Sequence, residues 1–231
     1  MRLSKRLATI DSFIKPGFQA IWDCCCDHGL LGMQLVEREA ADTIHFVDIV
    51  PALMDELTAK LTRYSPTQGA AHWQVHCIDV ADIAINFQQR NLVIIAGVGG
   101  ELLLRFINHI LAAQQQFANI NKGEILAELE FIICPVHHTY KVREGLLEQG
   151  MRLINEAIVC ENNRFYEVIH ISKQAKHRLT LTGSSMWHSG QPQHHCYQQK
   201  LLTHYQRMLN QNPIYYQHVI NRYAQVLAPP A

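Results

Sequence analysis

The apolar positions of the chain switch between two periods, and the switches mark its elements. Leu3, Leu7, Ile10 and Phe13-Ile14 recur at helical spacing and predict an N-terminal helix. Residues 18–23 read as a buried strand, 30–38 as a helix and 43–48 as a second strand. Pro51 suits the first turn of a helix reaching about residue 63, and 72–78 alternate as a third strand. Residues 91–96 hold the run Leu92-Val93-Ile94-Ile95, typical of a central strand covered on both faces. A helix over 101–117, a fifth strand over 129–134 and a helix over 139–149 follow. Strands at 152–159 and 165–171 flank Glu161-Asn162-Asn163-Arg164, which predicts a hairpin with an Asn-rich turn.

Strands alternating with helices imply an α/β fold with a doubly wound parallel sheet. The closing hairpin adds a sixth strand and an antiparallel seventh. Residues 180–192 are rich in Gly, Ser and Thr and predict a linker, within a connection spanning 173–192. Beyond it, Leu201, Leu202, Tyr205, Met208 and Leu209 form one helical stripe, and Tyr216, Val219, Ile220, Tyr223 and Val226 another. Asn212-Pro213 divides them, so a C-terminal α-helical hairpin is expected over 193–231, after a catalytic domain over 1–172.

A hydrophobic fraction of 48% supports an ordinary core. No apolar run approaches the roughly 18 residues of a membrane span. The basic start of the chain leads into an amphipathic stretch containing Asp11, unlike an export signal. The seven cysteines are odd in number and lack framework spacing, with Cys24, Cys25 and Cys26 consecutive. They read as reduced thiols, and a cytoplasmic location is expected. The net charge is zero but uneven. From Ile171 onward there are six Lys or Arg and no Asp or Glu, so the first part carries the other 14 cations and all 20 acids. A basic half of this kind suggests an anionic partner.

Candidate chemistry gathers where strands give way to helices, the place where open α/β sheets bind ligands. The turn after the first strand reads Asp23-Cys24-Cys25-Cys26-Asp27-His28-Gly29. Its acids can accept hydrogen bonds from an ammonium group, although Asp27 equally suits a helix N-cap. The Gly-x-Gly-x-x-Gly loop that lets backbone approach a pyrophosphate is absent, which disfavours a dinucleotide. Asp48, followed by Ile49, ends the second strand, where a carboxylate can accept both hydroxyls of a ribose. Asp79-Val80 follows the third strand, placed for an adenine amino group or a reaction centre. Ala96-Gly97-Val98-Gly99-Gly100 follows the fourth, and its glycines permit close approach of a substrate or a tight packing turn. Pro135-Val136-His137-His138 ends the fifth; an adjacent His pair is a weak metal signal, and no metal site is expected.

These segments together resemble the bacterial tRNA (adenine-22, N1) methyltransferases, the TrmK-like proteins. The resemblance runs over about residues 2–170. It rests on Leu3-Ser4-Lys5-Arg6-Leu7, Asp23-x-x-x-Asp27-His28, Ile95-Ala96-Gly97-Val98-Gly99-Gly100, Pro135, Val142-Arg143 and Tyr166-Glu167. The family usually has Gly where Cys25 stands, Glu at Asp48, and Gln-Pro-Asn at Cys134-Pro135-Val136. The resemblance implies a Rossmann-like class I methyltransferase fold and S-adenosyl-L-methionine as methyl donor. It implies donor contacts from Asp23, Cys25, Asp27, His28, Gly29, Asp48, Ile49, Asp79, Val80, Ala96 and Gly97. Acceptor contacts are expected from Gly97, Val98, Gly99, Gly100, Pro135 and Arg143, with Asp79 and Asp27 stabilising the charge that develops on the acceptor. The partner would be tRNA or another RNA, met by the basic C-terminal region with tyrosines interleaved among its cations. Another RNA, a small-molecule acceptor, or a non-catalytic RNA-binding role stays open at this point, as does the oligomeric state.

Overall fold

The computed structural model describes residues 3–64 and 71–227; the outermost residues of both expected domains, 1–2 and 228–231, lie outside it. Seven strands form one sheet: β1 (Phe18–Cys24), β2 (Ala41–Asp48), β3 (His72–Cys77), β4 (Asn91–Ala96), β5 (Leu129–Cys134), β6 (Arg152–Glu161) and β7 (Arg164–Ser172). Their order is β3-β2-β1-β4-β5-β7-β6. β1 to β5 run parallel, and β7 enters antiparallel between β5 and β6. This is the doubly wound arrangement the periodicity predicts, with the antiparallel ending in place.

Alternation along each strand assigns side chains to two cores. Val93 and Ile95 join Trp22, Val47 and Ile133 beneath α4 (Gly100–Ile120) and α5 (Thr139–Glu148). Leu92 and Ile94 join Ile21, Phe46 and Ile132 beneath α1 (Lys5–Phe13), α2 (Leu30–Glu37) and α3 (Pro51–Tyr64). All four central β4 residues are fully buried, as the unbroken apolar run requires. Along α4, Leu103, Phe106, Ile107, Ile110 and Leu111 lie at helical spacing and form its buried stripe. The β6–β7 turn places Asn162 at φ 49° and Asn163 at φ 61°. Two left-handed central residues make a type I′ hairpin, and Asn tolerates that conformation better than most residues.

The C-terminal helices α6 (Pro192–Met208) and α7 (Pro213–Gln225) pair as expected and dock on α5. Tyr140 of α5 sits among Tyr205, Tyr216, Val219 and Tyr223. Tyr205, Tyr216 and Tyr223 of the two stripes, together with Tyr197, are buried; of the two roles open to them, packing holds and an RNA-facing one does not, and they fasten the hairpin to the sheet domain.

Of the connection expected at 173–192, Pro192 already opens α6; residues 173–191 hold no helix and only an isolated bridge from His177 to Leu153, yet they are packed rather than loose. Leu179 and Met186 are buried, and Trp187 packs in the tyrosine cluster. Its anchor is Arg143. The Arg143 guanidinium is fully buried and meets Glu167 at 2.9 Å, Glu156 at 2.8 Å and the Thr180 carbonyl at 3.0 Å. Glu156 Oε1 accepts the Ser184 and Ser185 amides at 2.6 and 2.7 Å, and Tyr197 donates its hydroxyl to Glu167 at 2.9 Å. Arg143 is therefore not a substrate ligand; its donors are spent inside, joining α5, β6, β7, the connection and α6.

Removing one partner of a buried ion cluster leaves the others uncompensated, so Arg143→Ala is expected to lower the unfolding free energy by about 3–5 kcal/mol. Denaturant titration measures this, and a loss below about 1 kcal/mol, the range of an exposed pair, would contradict it.

Candidate active site

The carboxyl ends of β1, β2 and β3 deliver the predicted acids to one edge of the sheet, beside the glycine loop that follows β4. Asp23, next to last in β1, is buried, and its carboxylate accepts the Gly32 amide at 2.8 Å. Burial pushes its pKa up to about 7, against the Gly32 hydrogen bond and with help from the nearby Asp48 charge. Asp48, the last residue of β2, accepts the amides of Asp27 at 3.1 Å and Val50 at 3.2 Å, one on each oxygen. Each oxygen keeps a second lone pair for another donor.

The loop between β1 and α2 is tightly wound. Cys25 at φ 56° and Asp27 at φ 51° both occupy the left-handed region. An L-residue there costs roughly 1–2 kcal/mol, which Asp tolerates better than Cys. This conformation gives a physical reason for the glycine that TrmK-like proteins usually have at position 25. The Cys25 thiol is held protonated, its pKa pushed to about 12 by burial and then by the Asp48, Asp23 and Asp79 carboxylates. The Asp27 side chain is 70% exposed, with His28 Nε2 3.7 Å away. Gly29 caps the start of α2. A cavity beside this loop is lined by Asp23, Asp27, His28 and Ala96, and also by Arg6 and Leu7 of α1.

Asp79 is more committed than its sequence position suggested. One oxygen accepts the Ala81 amide at 2.9 Å and caps a short 3₁₀ turn; the other pairs with Arg105 of α4 at 2.7 Å. Val80, expected among the donor contacts, buries its side chain in the core, which leaves its backbone alone for such a contact. Ile49, by contrast, is a large apolar residue left 66% exposed beside Asp48, a surface suited to one face of a planar ring.

The glycines after β4 divide by role. Gly97 has φ 87° and open space where a Cβ would stand, so it combines a glycine conformation with an exposed backbone. A Cβ at Gly99 would fall 2.6 Å from His137 Cε1, and one at Gly100 2.6 Å from Val142 Cγ2, so both serve the packing of α4 against the β5–α5 turn. Val98 remains half-buried, and its carbonyl accepts the Val136 amide at 3.0 Å, tying the β4 and β5 loops together. Pro135 is buried.

Two cations escaped sequence reasoning. Arg6 places its guanidinium 5.1 Å from the Tyr166 ring, and its Nε is buried with no hydrogen-bond partner among the described residues. Arg105 faces Asp79 across the sheet edge. Arg6 stands in the Leu3–Leu7 stretch that carries the resemblance, without a site role attached to it, and Arg105 has no local signal; each acquires its role only when distant elements meet.

A methyltransferase-domain family model matches residues 3–169. The tRNA (adenine(22)-N(1))-methyltransferase of Bacillus subtilis (strain 168) is 28% identical over 170 residues, 73% of this chain and 64% of that relative's length. The chain thus spans under two thirds of that curated relative. Streptococcus pneumoniae Sp1610, solved with S-adenosyl-L-methionine, shares the fold with a TM-score of 0.70 at 20% identity, over 98% of this chain and 100% of that one. M. capricolum TrmK, solved with S-adenosyl-homocysteine, shares it with a TM-score of 0.69 at 17% identity, over 98% and 96% of the two chains. With the seven-stranded sheet and the family match over most of its length, this chain belongs to the methyltransferase-domain family.

Proposed function

We propose that the chain is a cytoplasmic enzyme that transfers a methyl group from S-adenosyl-L-methionine to N1 of an adenine in tRNA. The observation that carries this is the convergence of Asp23, Asp27 and Asp48 with the open backbone of Gly97 on one sheet edge. Carboxylates gathered there suit a ligand bearing positive charge and repel a pyrophosphate. When bound, the donor supplies an electrophilic sulfonium methyl. Asp23 and Asp27 would balance its ammonium, Asp48 would accept its ribose hydroxyls on the spare lone pairs, and Ile49 would cover its adenine.

Adenine N1 carries a free lone pair, so the protein needs no strong base; its task is to hold two reactants in line. Gly97 and Val98 would border the acceptor. Methylation leaves the base positively charged, and the Asp27 carboxylate would stabilise that charge as it develops. Asp79, neutralised by Arg105, suits positioning of α4 and the donor more than charge stabilisation. N1 is hidden in a paired base, so the acceptor must be unpaired or flipped out. The seven free thiols accord with the reducing cytoplasm.

Transfer of labelled methyl from S-adenosyl-L-methionine to unmodified tRNA, mapped to N1-methyladenine, tests the proposal directly. Asp27→Asn keeps a side chain that tolerates a left-handed backbone; it is expected to weaken donor affinity about tenfold, the worth of a charge-assisted contact. Asp79→Asn is expected to keep donor affinity and lose turnover by about 10-fold or more through misplacement. Unchanged donor affinity in Asp27→Asn, measured by calorimetry, would count against its assignment.

Asp23 yields a second expectation. Its folded pKa of about 7 lies above the ordinary 3.8, so the folded state retains a proton that the unfolded state has lost between those values. Stability therefore falls as pH rises through that window. Asp23→Asn should raise the unfolding free energy near pH 8 by about 2–4 kcal/mol, and change it little near pH 4. Paired denaturant titrations at the two pH values check this; equal effects at both would contradict it.

A further inference from the structure

A second groove lies beside the first cavity, where the β6–β7 hairpin meets α6. Val136, Arg164, Phe165, Tyr166, Tyr197 and Lys200 line it. Two contacts connect it to the candidate active site. Tyr166 lies under Arg6, and Arg6 also lines the cavity beside the β1 loop. Val136 is hydrogen-bonded to Val98, beside Gly97. The groove and the cavity are thus adjacent parts of one surface at the carboxyl edge of the sheet.

Their charges are opposite. Asp23 and Asp27 line the cavity with Arg6 at its rim, and Asp48 stands behind Asp27, whose amide it accepts, so the acids outnumber the cation there. The groove carries Arg164 and Lys200, and α6 lies in a stretch without Asp or Glu. Arg164 is exposed, and its guanidinium has no hydrogen bond or ion pair among the described residues. Lys200 spends one donor on the Asn163 carbonyl at 3.0 Å and sits 4.9 Å from the Phe165 ring centroid, which fixes its ammonium over the groove. Of the two acids three residues away from Arg164, Glu161 accepts the Lys5 amide at 2.6 Å through Oε1, and Glu167 is buried against Arg143 and Tyr197. Phe165 stacks on Tyr197 at 5.0 Å, so the groove wall is preformed.

We propose that this groove holds the sugar-phosphate backbone of the RNA strand next to the acceptor base, with Arg164 and Lys200 on its phosphates. The proposal rests on the methyltransferase reading above for the identity of the strand. Its physical content is a sorting of charge. Phosphates are attracted to the hairpin side and repelled from the acidic cavity, while the base, neutral before transfer and cationic after it, suffers no such repulsion. Backbone and base are thereby directed to different halves of one surface. Arg is suited to the phosphate role by its planar fork of donors.

The test uses the full chain, fluorescein-labelled unmodified tRNA, and anisotropy titrations over a range of salt, with donor affinity followed by calorimetry. Arg164→Glu is expected to weaken tRNA binding at least about tenfold, the worth of one charge-assisted hydrogen bond, and Lys200→Ala to act in the same direction. Arg164→Ala should lower the slope of log affinity against log salt by about 1. Arg164→Lys, which keeps the charge, should retain most of the affinity, and donor affinity should stay unchanged in all four. Lys173→Glu, at the opposite end of β7, should have little effect. tRNA affinity unchanged in Arg164→Glu, or an equal loss in Lys173→Glu, would overturn the groove. A parent protein that binds tRNA through Arg164 but binds no donor would leave the groove standing and remove the methyltransferase reading.

Discussion

Negative charge crowded at the carboxyl edge of the parallel strands sets the terms for the whole site. Parallel strands end together, so Asp23, Asp48 and Asp79 arrive side by side, and the loop after β1 adds Asp27. Mutual repulsion and burial would raise the energy of such a group without local donors. The structure supplies some of them: Gly32 to Asp23, the Asp27 and Val50 amides to Asp48, and Arg105 to Asp79. Asp23 is the least compensated, and its proton affinity records the deficit. A cationic ligand would remove that deficit, so that burial first, and the Asp48 charge second, turn a cost in stability into a source of affinity.

The second constraint lies where α5 meets β6 and β7. Arg143 is a buried cation between two glutamates, and its contacts extend to the connection that leads into the helical hairpin. Pairing of this kind adds little net stability but specifies one arrangement, because any other leaves a charge unpaired. It fixes α6 against the β6–β7 hairpin. That contact forms the basic groove next to the acidic cavity. The register of the type I′ turn at Asn162-Asn163 has the same consequence, since it places Arg164 at the head of β7.

Much of this architecture is legible in the sequence. The β4 run, the α4 stripe and the Asn-Asn turn each express a local rule, and each forms where its pattern predicts. The acids at strand ends are equally legible, because the doubly wound topology fixes where strand ends gather. What local pattern does not encode is pairing at long range. Arg143 looks like a helix-surface cation until β6 and β7 bring Glu156 and Glu167 to it. The Gly/Ser-rich connection looks loose until the Ser184 and Ser185 amides find Glu156. Tyrosines among cations look like a stacking surface until Tyr140 draws them inward. Arg6 belongs to the stretch that carries the resemblance, but it gains a place at the site only when α1 packs on β6 and β7.

The most direct measurement is the proton release that accompanies donor binding. Calorimetric titration of the parent protein with S-adenosyl-L-methionine at about pH 6.5, in buffers of different ionisation enthalpy, reads it without any assumption about the acceptor. A cation placed against Asp23 should drive off its proton, so the account predicts net release by the parent, none by Asp23→Asn, and parent affinity that rises as the pH approaches 7. Binding with no proton release and no pH dependence would contradict the view that the acidic sheet edge is the donor site.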